Sequence, residues 1–246
     1  MKSSSFHRVT SDRGSIFYKI FARFVHTPLS FINNLNPNKN VDKKLKISYF
    51  TTKKLEEQYV KLDKLSSPSR KLSDLFWINQ DWEQMQKELG KINICDIGCG
   101  SGNYFLKLQE YSYNKISNYK GLDIYENKNW NNLKEKFNNT GFQKYDGKNI
   151  VNLIPDTTNL IISQSAIEHF SEDITIFNQI NKFVKKAKHS VYQIHLFPSK
   201  ICLKLYPFHG VRQYTPRNIS KITRLFSDFS KIELFELVSS QVLFFW

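Results

Sequence analysis

The chain has 246 residues, 40% hydrophobic and 15% aromatic, which fits one large domain, or a domain with an extension, and excludes a disordered chain. Three cysteines (Cys95, Cys99, Cys202) are too few for a disulfide scaffold and lack the CxxC spacing of a zinc site, so a reducing compartment is expected. The net charge of +14 is unevenly spread: residues 1–71 carry 15 Lys/Arg against 5 Asp/Glu, residues 72–190 carry 14 of each, and residues 191–246 carry 7 against 3. A basic flank of this kind suits nucleic acid, anionic lipid or an acidic glycan, although 29 Lys and 22 Asn also fit a compositional bias with no partner behind it.

No run of about 18 uncharged apolar residues occurs, so no transmembrane helix is expected. The apolar stretch from Ser15 to Ile32 is interrupted by Lys19, Arg23 and His26 and has no cleavage site after it, unlike a signal peptide. Residues 15–27 read as an amphipathic helix, with Ile16, Phe17, Ile20, Phe21, Phe24 and Val25 on one half of the wheel and Pro28 ending it. Such a helix suits a membrane interface, or packing on its own domain as a lid. Asn33 to Asn40 reads as a linker, 51–65 as a charged helix, Ser66 to Ser69 as a break, and 72–89 as one helix stopped by Gly90. From Ile92 the pattern alternates. Strands are predicted at 92–97, 119–124, 142–145, 159–163 and 190–197, with helices near 103–111, 128–138 and 172–186. Thr215-Pro216 opens a further helix, and 231–237 with 241–246 form a closing hairpin. The alternation predicts an α/β sandwich around a mostly parallel sheet.

The most informative segment is Asp96-Ile97-Gly98-Cys99-Gly100-Ser101-Gly102, where a buried strand runs into glycines and then a helix. Glycines allow a tight turn and close backbone approach to a ligand, and a helix N-terminus offers free N–H groups. The dinucleotide pattern GxGxxG would need glycine where Asn103 stands, and no phosphate-loop lysine pattern occurs. An acid before the glycines favours a ligand with a cationic amino group over a pyrophosphate, which a carboxylate repels.

At this motif the chain resembles the class I S-adenosylmethionine-dependent methyltransferases. Later segments extend the resemblance: Gly121-Leu122-Asp123-Ile124 at the second core strand, Tyr145-Asp146-Gly147 after the third, and Ser163-Gln164-Ser165-Ala166-Ile167-Glu168-His169 at the fourth. It covers about 92–246 and implies a Rossmann-like three-layer sandwich, a seven-stranded sheet, and S-adenosylmethionine as cofactor. The division it implies is a basic helical extension over 1–71 and a methyltransferase domain over 72–246. By resemblance, Gly98, Cys99, Gly100 and Gly102 pass the methionine moiety, Asp96 orients its amino group, and Asp123 with Ile124 holds the ribose end. Asp146 and Gly147 meet the adenine, and Ser163 completes the cofactor set. Asn159 departs from the aspartate that the family often carries before its fourth strand.

The acceptor is read from the fourth motif and the loops after it. Residues 163–166 lack the Asn/Asp-Pro-Pro-Tyr/Phe of planar-amine methylation, and no cysteine stands there for base methylation. His169 and His195 are the expected general bases. Glu168-His169 also resembles a metal-dependent RNA methyltransferase pair, but Ser165 replaces the further glutamate, so no metal is expected. His209, Arg212 and Tyr214 are the expected acceptor-binding residues. The favoured function is methyl transfer to a hydroxyl of a small molecule or glycan in the cytoplasm, with a peripheral membrane contact through 15–27 as an open element. The alternative is RNA or protein methylation on the basic N-terminal region, and the absence of RRM, KH or OB signatures weighs against nucleic acid.

Overall fold

A computed structural model describes residues 4–5, 15–36, 39–51, 55–198, 214–237 and 240–245. An eight-stranded sheet runs through the molecule in the order β1-β7-β8-β6-β5-β2-β3-β4. The strands are β1 (Lys46–Tyr49), β2 (Ile92–Ile97), β3 (Ile116–Asp123), β4 (Thr140–Lys144), β5 (Leu160–Gln164), β6 (Tyr192–Pro198), β7 (Ile232–Leu237) and β8 (Ser240–Phe245). Only β8 runs against its neighbours, pairing antiparallel with β6 and β7 as the closing hairpin requires. The mostly parallel sheet expected from the alternation, Rossmann-like as the resemblance implies, is therefore present.

The helices are α1 (Ile16–Asn34), α2 (Leu55–Lys61), α3 (Pro68–Ile78), α4 (Trp82–Leu89), α5 (Tyr104–Tyr111), α6 (Asn129–Lys136), α7 (Asp173–Lys186) and α8 (Pro216–Thr223). Central strands buried on both faces read as continuous apolar runs because each face has its own core. Ile92, Ile94, Leu160, Ile162, Ile194 and Leu196 pack with Trp77, Trp82, Phe105 and Leu108 of α3, α4 and α5. Ile97, Ile161 and Phe197 point the other way, toward Phe177 and Ile180 of α7 and Ile219 and Ile222 of α8. Period-two alternation along β5 thus assigns Leu160 and Ile162 to one layer and Ile161 to the other.

Three features differ from the sequence reading. The stretch 72–89 is two helices, because the side-chain amides of Asn79 and Gln80 donate to Leu75 O and Phe76 O at the end of α3 and Asp81 then caps α4 by accepting from the Gln84 backbone amide. Helix α1 continues through Pro28 to Asn34, beyond the stop expected there. The N-terminal region is not purely helical: β1 adds an eighth, parallel strand beside β7, in register from Lys46↔Glu233 to Tyr49↔Glu236. No described helix is long and apolar enough to cross a membrane.

Candidate active site

Strand order places the carboxyl ends of β2, β3 and β5 side by side, where a ligand of an open parallel sheet lies. A cleft of about 420 Å³ opens there, with Arg70, Asp96, Gly98, Gly100, Tyr104 and Gln164 among its walls. The glycine loop folds onto β3, with the Gly98 and Cys99 amides both donating to Leu122 O at 2.7 and 3.1 Å. Gly98, Gly100 and Gly102 all have positive φ, 87°, 56° and 78°. A Cβ at Gly98 would lie 2.4 Å from the Ala166 Cβ, and one at Gly102 2.5 Å from the Phe142 ring, so these two glycines serve close packing. A Cβ at Gly100 would meet nothing within 4 Å and would project into open space beside the cleft. Helix α6 braces the loop from outside: Trp130 Nε1 donates to Gly100 O at 2.8 Å and Asn129 Nδ2 to Ser101 O at 3.0 Å.

Asp123 ends β3 half-buried, with Oδ2 accepting from the Gly100 amide at 2.8 Å and Oδ1 from the Tyr125 amide at 3.1 Å. Asp96 ends β2 fully buried, and Oδ2 accepts from Tyr119 Oη at 2.6 Å. Its Oδ1 has no partner. Burial pushes the Asp96 carboxyl up to about 7, against the opposing pull of the Tyr119 hydrogen bond. Gln164, at the end of β5, gives its oxygen to Trp77 Nε1 at 2.9 Å, which leaves Nε2 as a buried donor without a partner. Among the described residues the cleft therefore holds an orphan acceptor and an orphan donor, and the Arg70 guanidinium stands at its wall over the Tyr104 ring at 5.4 Å. Tyr104 in turn donates to buried Asp74 at 2.8 Å, beside the Lys107 ion pair at 2.6 Å. An ammonium, a carboxylate and the backbone of a small amino-acid moiety match this donor set, so the residues fit S-adenosylmethionine.

Other expected residues fall as follows. Ile124 and Gly147 come together at the ends of β3 and β4, where a Cβ on Gly147 would lie 3.4 Å from an Ile124 methyl. Asp146 is exposed, and the Lys148 and Asn149 amides that its carboxylate accepts hold it below the usual carboxylate range. Cys99 is buried at the cleft, and burial raises its thiol. His169 stands one-third exposed on the 3-10 turn Ile167–His169, whose neighbours Ala166 and Phe170 pack against Gly98.

Three expected site residues lie buried, outside the lining of the cleft. Ser163 and His195 lie inside the sheet, fully buried, with Ser163 Oγ and His195 Nδ1 paired at 2.8 Å and the imidazole edge-on to Phe177 at 4.9 Å. Burial lowers the His195 imidazole to about 3, so it is a neutral core group rather than a base meeting an acceptor, and Gln164 and Ser165 take the cleft position expected of Ser163. Tyr214 is also buried, bonded to Asp173 at 2.9 Å and to Ile167 O at 3.2 Å, which makes it a support for the His169 turn. His209 and Arg212 lie outside the described residues. Arg70, Gln164, Ser165 and the Asp74–Tyr104–Lys107 group were not anticipated. The Gln164 environment depends on Trp77, 87 residues earlier, and no local pattern carries it.

Fold and site together define a methyltransferase of the Rossmann-like, S-adenosylmethionine-dependent class. The family model described as a methyltransferase domain matches residues 60–226, more than half of the chain, and the chain belongs to that family. No curated protein matches the sequence. Among solved structures, an S-adenosylmethionine-dependent methyltransferase from Clostridium acetobutylicum is 14% identical, with a TM-score of 0.52 over 78% of this chain and 97% of that one. An O-methyltransferase family protein from Burkholderia thailandensis is 10% identical, with a TM-score of 0.52 over 70% of this chain, which spans 54% of that protein. An N,N-8-amino-8-demethyl-D-riboflavin dimethyltransferase from Streptomyces davawensis is 12% identical, with a TM-score of 0.53 over 71% of this chain and 52% of its own.

Proposed function

We propose that this chain methylates a hydroxyl of a small-molecule or glycan acceptor by in-line transfer. The observation that carries the reading is the pair of orphan polar atoms, Asp96 Oδ1 and Gln164 Nε2, in a cleft walled by the glycine loop. Bound there, S-adenosylmethionine supplies a sulfonium methyl that is already electrophilic. Asp96 accepts from the ammonium end, Gln164 and Arg70 donate to the carboxylate end, and the Gly100 backbone leaves room for the chain between them. Asp123 accepts from the ribose hydroxyls, with Ile124, Asp146 and Gly147 along the adenine. His169 takes the proton of the acceptor hydroxyl; its partial exposure, on a turn whose flanking Ala166 and Phe170 pack against Gly98, supports that role. The hydroxyl is further supported by residues 163–166, which lack the planar-amine signature. The proposed setting is the cytoplasm, with a peripheral membrane contact through the N-terminal helix.

The test is incubation with methyl-labelled cofactor and a cell extract, followed by separation into lipid, polysaccharide, RNA, protein and small-molecule pools. Label in the small-molecule, glycan or lipid-linked pool is expected, and label in RNA or protein overturns the reading. His169→Ala should lower kcat by about 10²–10⁴-fold with cofactor affinity unchanged.

A further inference from the structure

Helix α1 presents large apolar side chains to solvent along its length. Ile16, Phe17, Ile20, Phe21 and Phe24 are all more than half exposed, with Phe17 and Phe24 at 80% and 81%, and Ile32 at the far end is 62% exposed. At about 100° per residue these positions form one broad arc, and the buried Ala22 lies outside it. The buried side of the helix thus lies away from its apolar arc, and among the described residues none covers the arc as a lid.

The helix is held in that place from both sides. On one side, Ser5 is buried and donates through its amide and hydroxyl to Asp173, while Lys221 donates to Ser5 O. On the other, the Asp42 amide donates to Ser220 Oγ at 2.8 Å, Thr223 Oγ1 donates to Asp42 Oδ2 at 3.0 Å, and Arg224 donates to Asn40 O at 2.5 Å. Both attachments converge on α8 and the residue after it. Helix α1 therefore lies in the chain between two attached points, Ser5 and Asn40–Asp42, and carries an exposed apolar arc.

We propose that α1 is an interfacial anchor that lies flat on an anionic lipid bilayer with its phenylalanines in the acyl boundary. The inference rests on the membrane contact given under Proposed function and specifies its residues and lipid charge. Length and charge select this occupant. Nineteen residues span about 28 Å, enough for a long footprint in the interface plane, and the helix is not apolar enough to cross. Residues 15–36 hold Lys19 and Arg23 and no acid, within a region of 15 bases and 5 acids. A second copy of this chain would bring the same positive charge to the contact, whereas an anionic surface complements it.

The test is flotation of the full-length protein with vesicles of phosphatidylglycerol and phosphatidylcholine, and with phosphatidylcholine alone. Binding to the anionic vesicles is expected, falling steeply between about 0.1 and 1 M salt as screening shortens. Phe17→Ser/Phe21→Ser/Phe24→Ser should lower partition by about tenfold or more with cofactor affinity unchanged, which reports an intact fold. Lys19→Glu/Arg23→Glu should weaken anionic binding without touching the apolar arc. A wild-type protein that stays unbound, or a triple variant that binds equally, overturns the proposal. So does a wild-type dimer that the triple variant splits without any vesicle binding. Methyl transfer to a small molecule by a protein that ignores vesicles overturns this inference and leaves the proposed methyl transfer standing; vesicle binding with transfer only to RNA does the reverse.

Discussion

Asp96→Asn separates the two roles of the acid at the end of β2. Burial pushes the native carboxyl from 3.8 up to about 7, which costs at most about 4 kcal/mol of stability once it ionises in the fold. The sign follows from proton counts. Between about pH 4 and 7 the native chain holds a proton that the unfolded chain releases, so the stability of the ligand-free protein falls as pH rises through that window. Asparagine carries no charge and its amide oxygen can still accept from Tyr119 Oη, now 2.6 Å from the carboxylate. The ligand-free variant should therefore melt higher than wild type at pH 8, by up to about 10 °C, and lose that advantage toward pH 5. Cofactor affinity should move the other way, falling about 10–100-fold at pH 8 with the loss of a charge-assisted hydrogen bond. Wild-type affinity should itself rise with pH up to about 7, as the carboxylate forms. Scanning calorimetry of the free protein and titration calorimetry with cofactor from pH 5 to 8 read both effects. A variant that melts lower at pH 8, or binds cofactor as wild type does, would refute the assignment of Asp96 as a buried, cofactor-facing carboxylate.

Other positions test neighbouring parts of the argument. Gly98→Ala, with φ at 87° and Ala166 in the way, should lose about 2–5 kcal/mol in chemical denaturation. Gly100→Ala should lose only about 1–2 kcal/mol but bind cofactor much more weakly in calorimetry, because its new methyl enters the open space by the cleft. Asn159→Asp should destabilise by about 2–4 kcal/mol in urea, since Nδ2 now donates to Leu89 O at 3.1 Å and Lys91 O at 2.7 Å and a carboxylate would face both carbonyls. Tyr214→Phe should lower the melting temperature through loss of the bonds to Asp173 and Ile167 while leaving cofactor affinity unchanged.

Most of the sheet was legible because β2, β5 and β6 are buried on both faces and read as short apolar runs, and because the glycines after Ile97 mark the turn into α5. The glycine loop was legible as a strand end followed by residues that tolerate positive φ, and Asp123 through the resemblance that Gly121-Leu122-Asp123-Ile124 carries. What escaped depends on tertiary partners. The break between α3 and α4 is made by side-chain amides of Asn79 and Gln80, whose bonds to the last carbonyls of α3 show only in the fold. Ser163 and Gln164 are adjacent, and which of them reaches the cleft is decided by the buried partners His195 and Trp77. Arg70 lies in a region read as extension, and only the packing of α3 over β5 brings it to the cleft wall. The continuation of α1 past Pro28 likewise runs against a local rule, since proline cannot donate to Phe24 O.

The family match begins at residue 60, yet β1 lies before it and Lys46 and Ser48 both bind Glu233 of β7, at 2.9 and 2.6 Å. A chain cut at the family boundary would lay bare the backbone N–H and C=O row of β7, a six-residue strand rich in Ile, Leu and Phe. Such an uncovered edge recruits other edges, and the truncated protein would be prone to strand-to-strand aggregation. β1 itself is only four residues long and opens with a lysine, so the full chain ends its sheet on a blunt, charged margin. The sheet thus takes in a strand upstream of the segment that the family model matches.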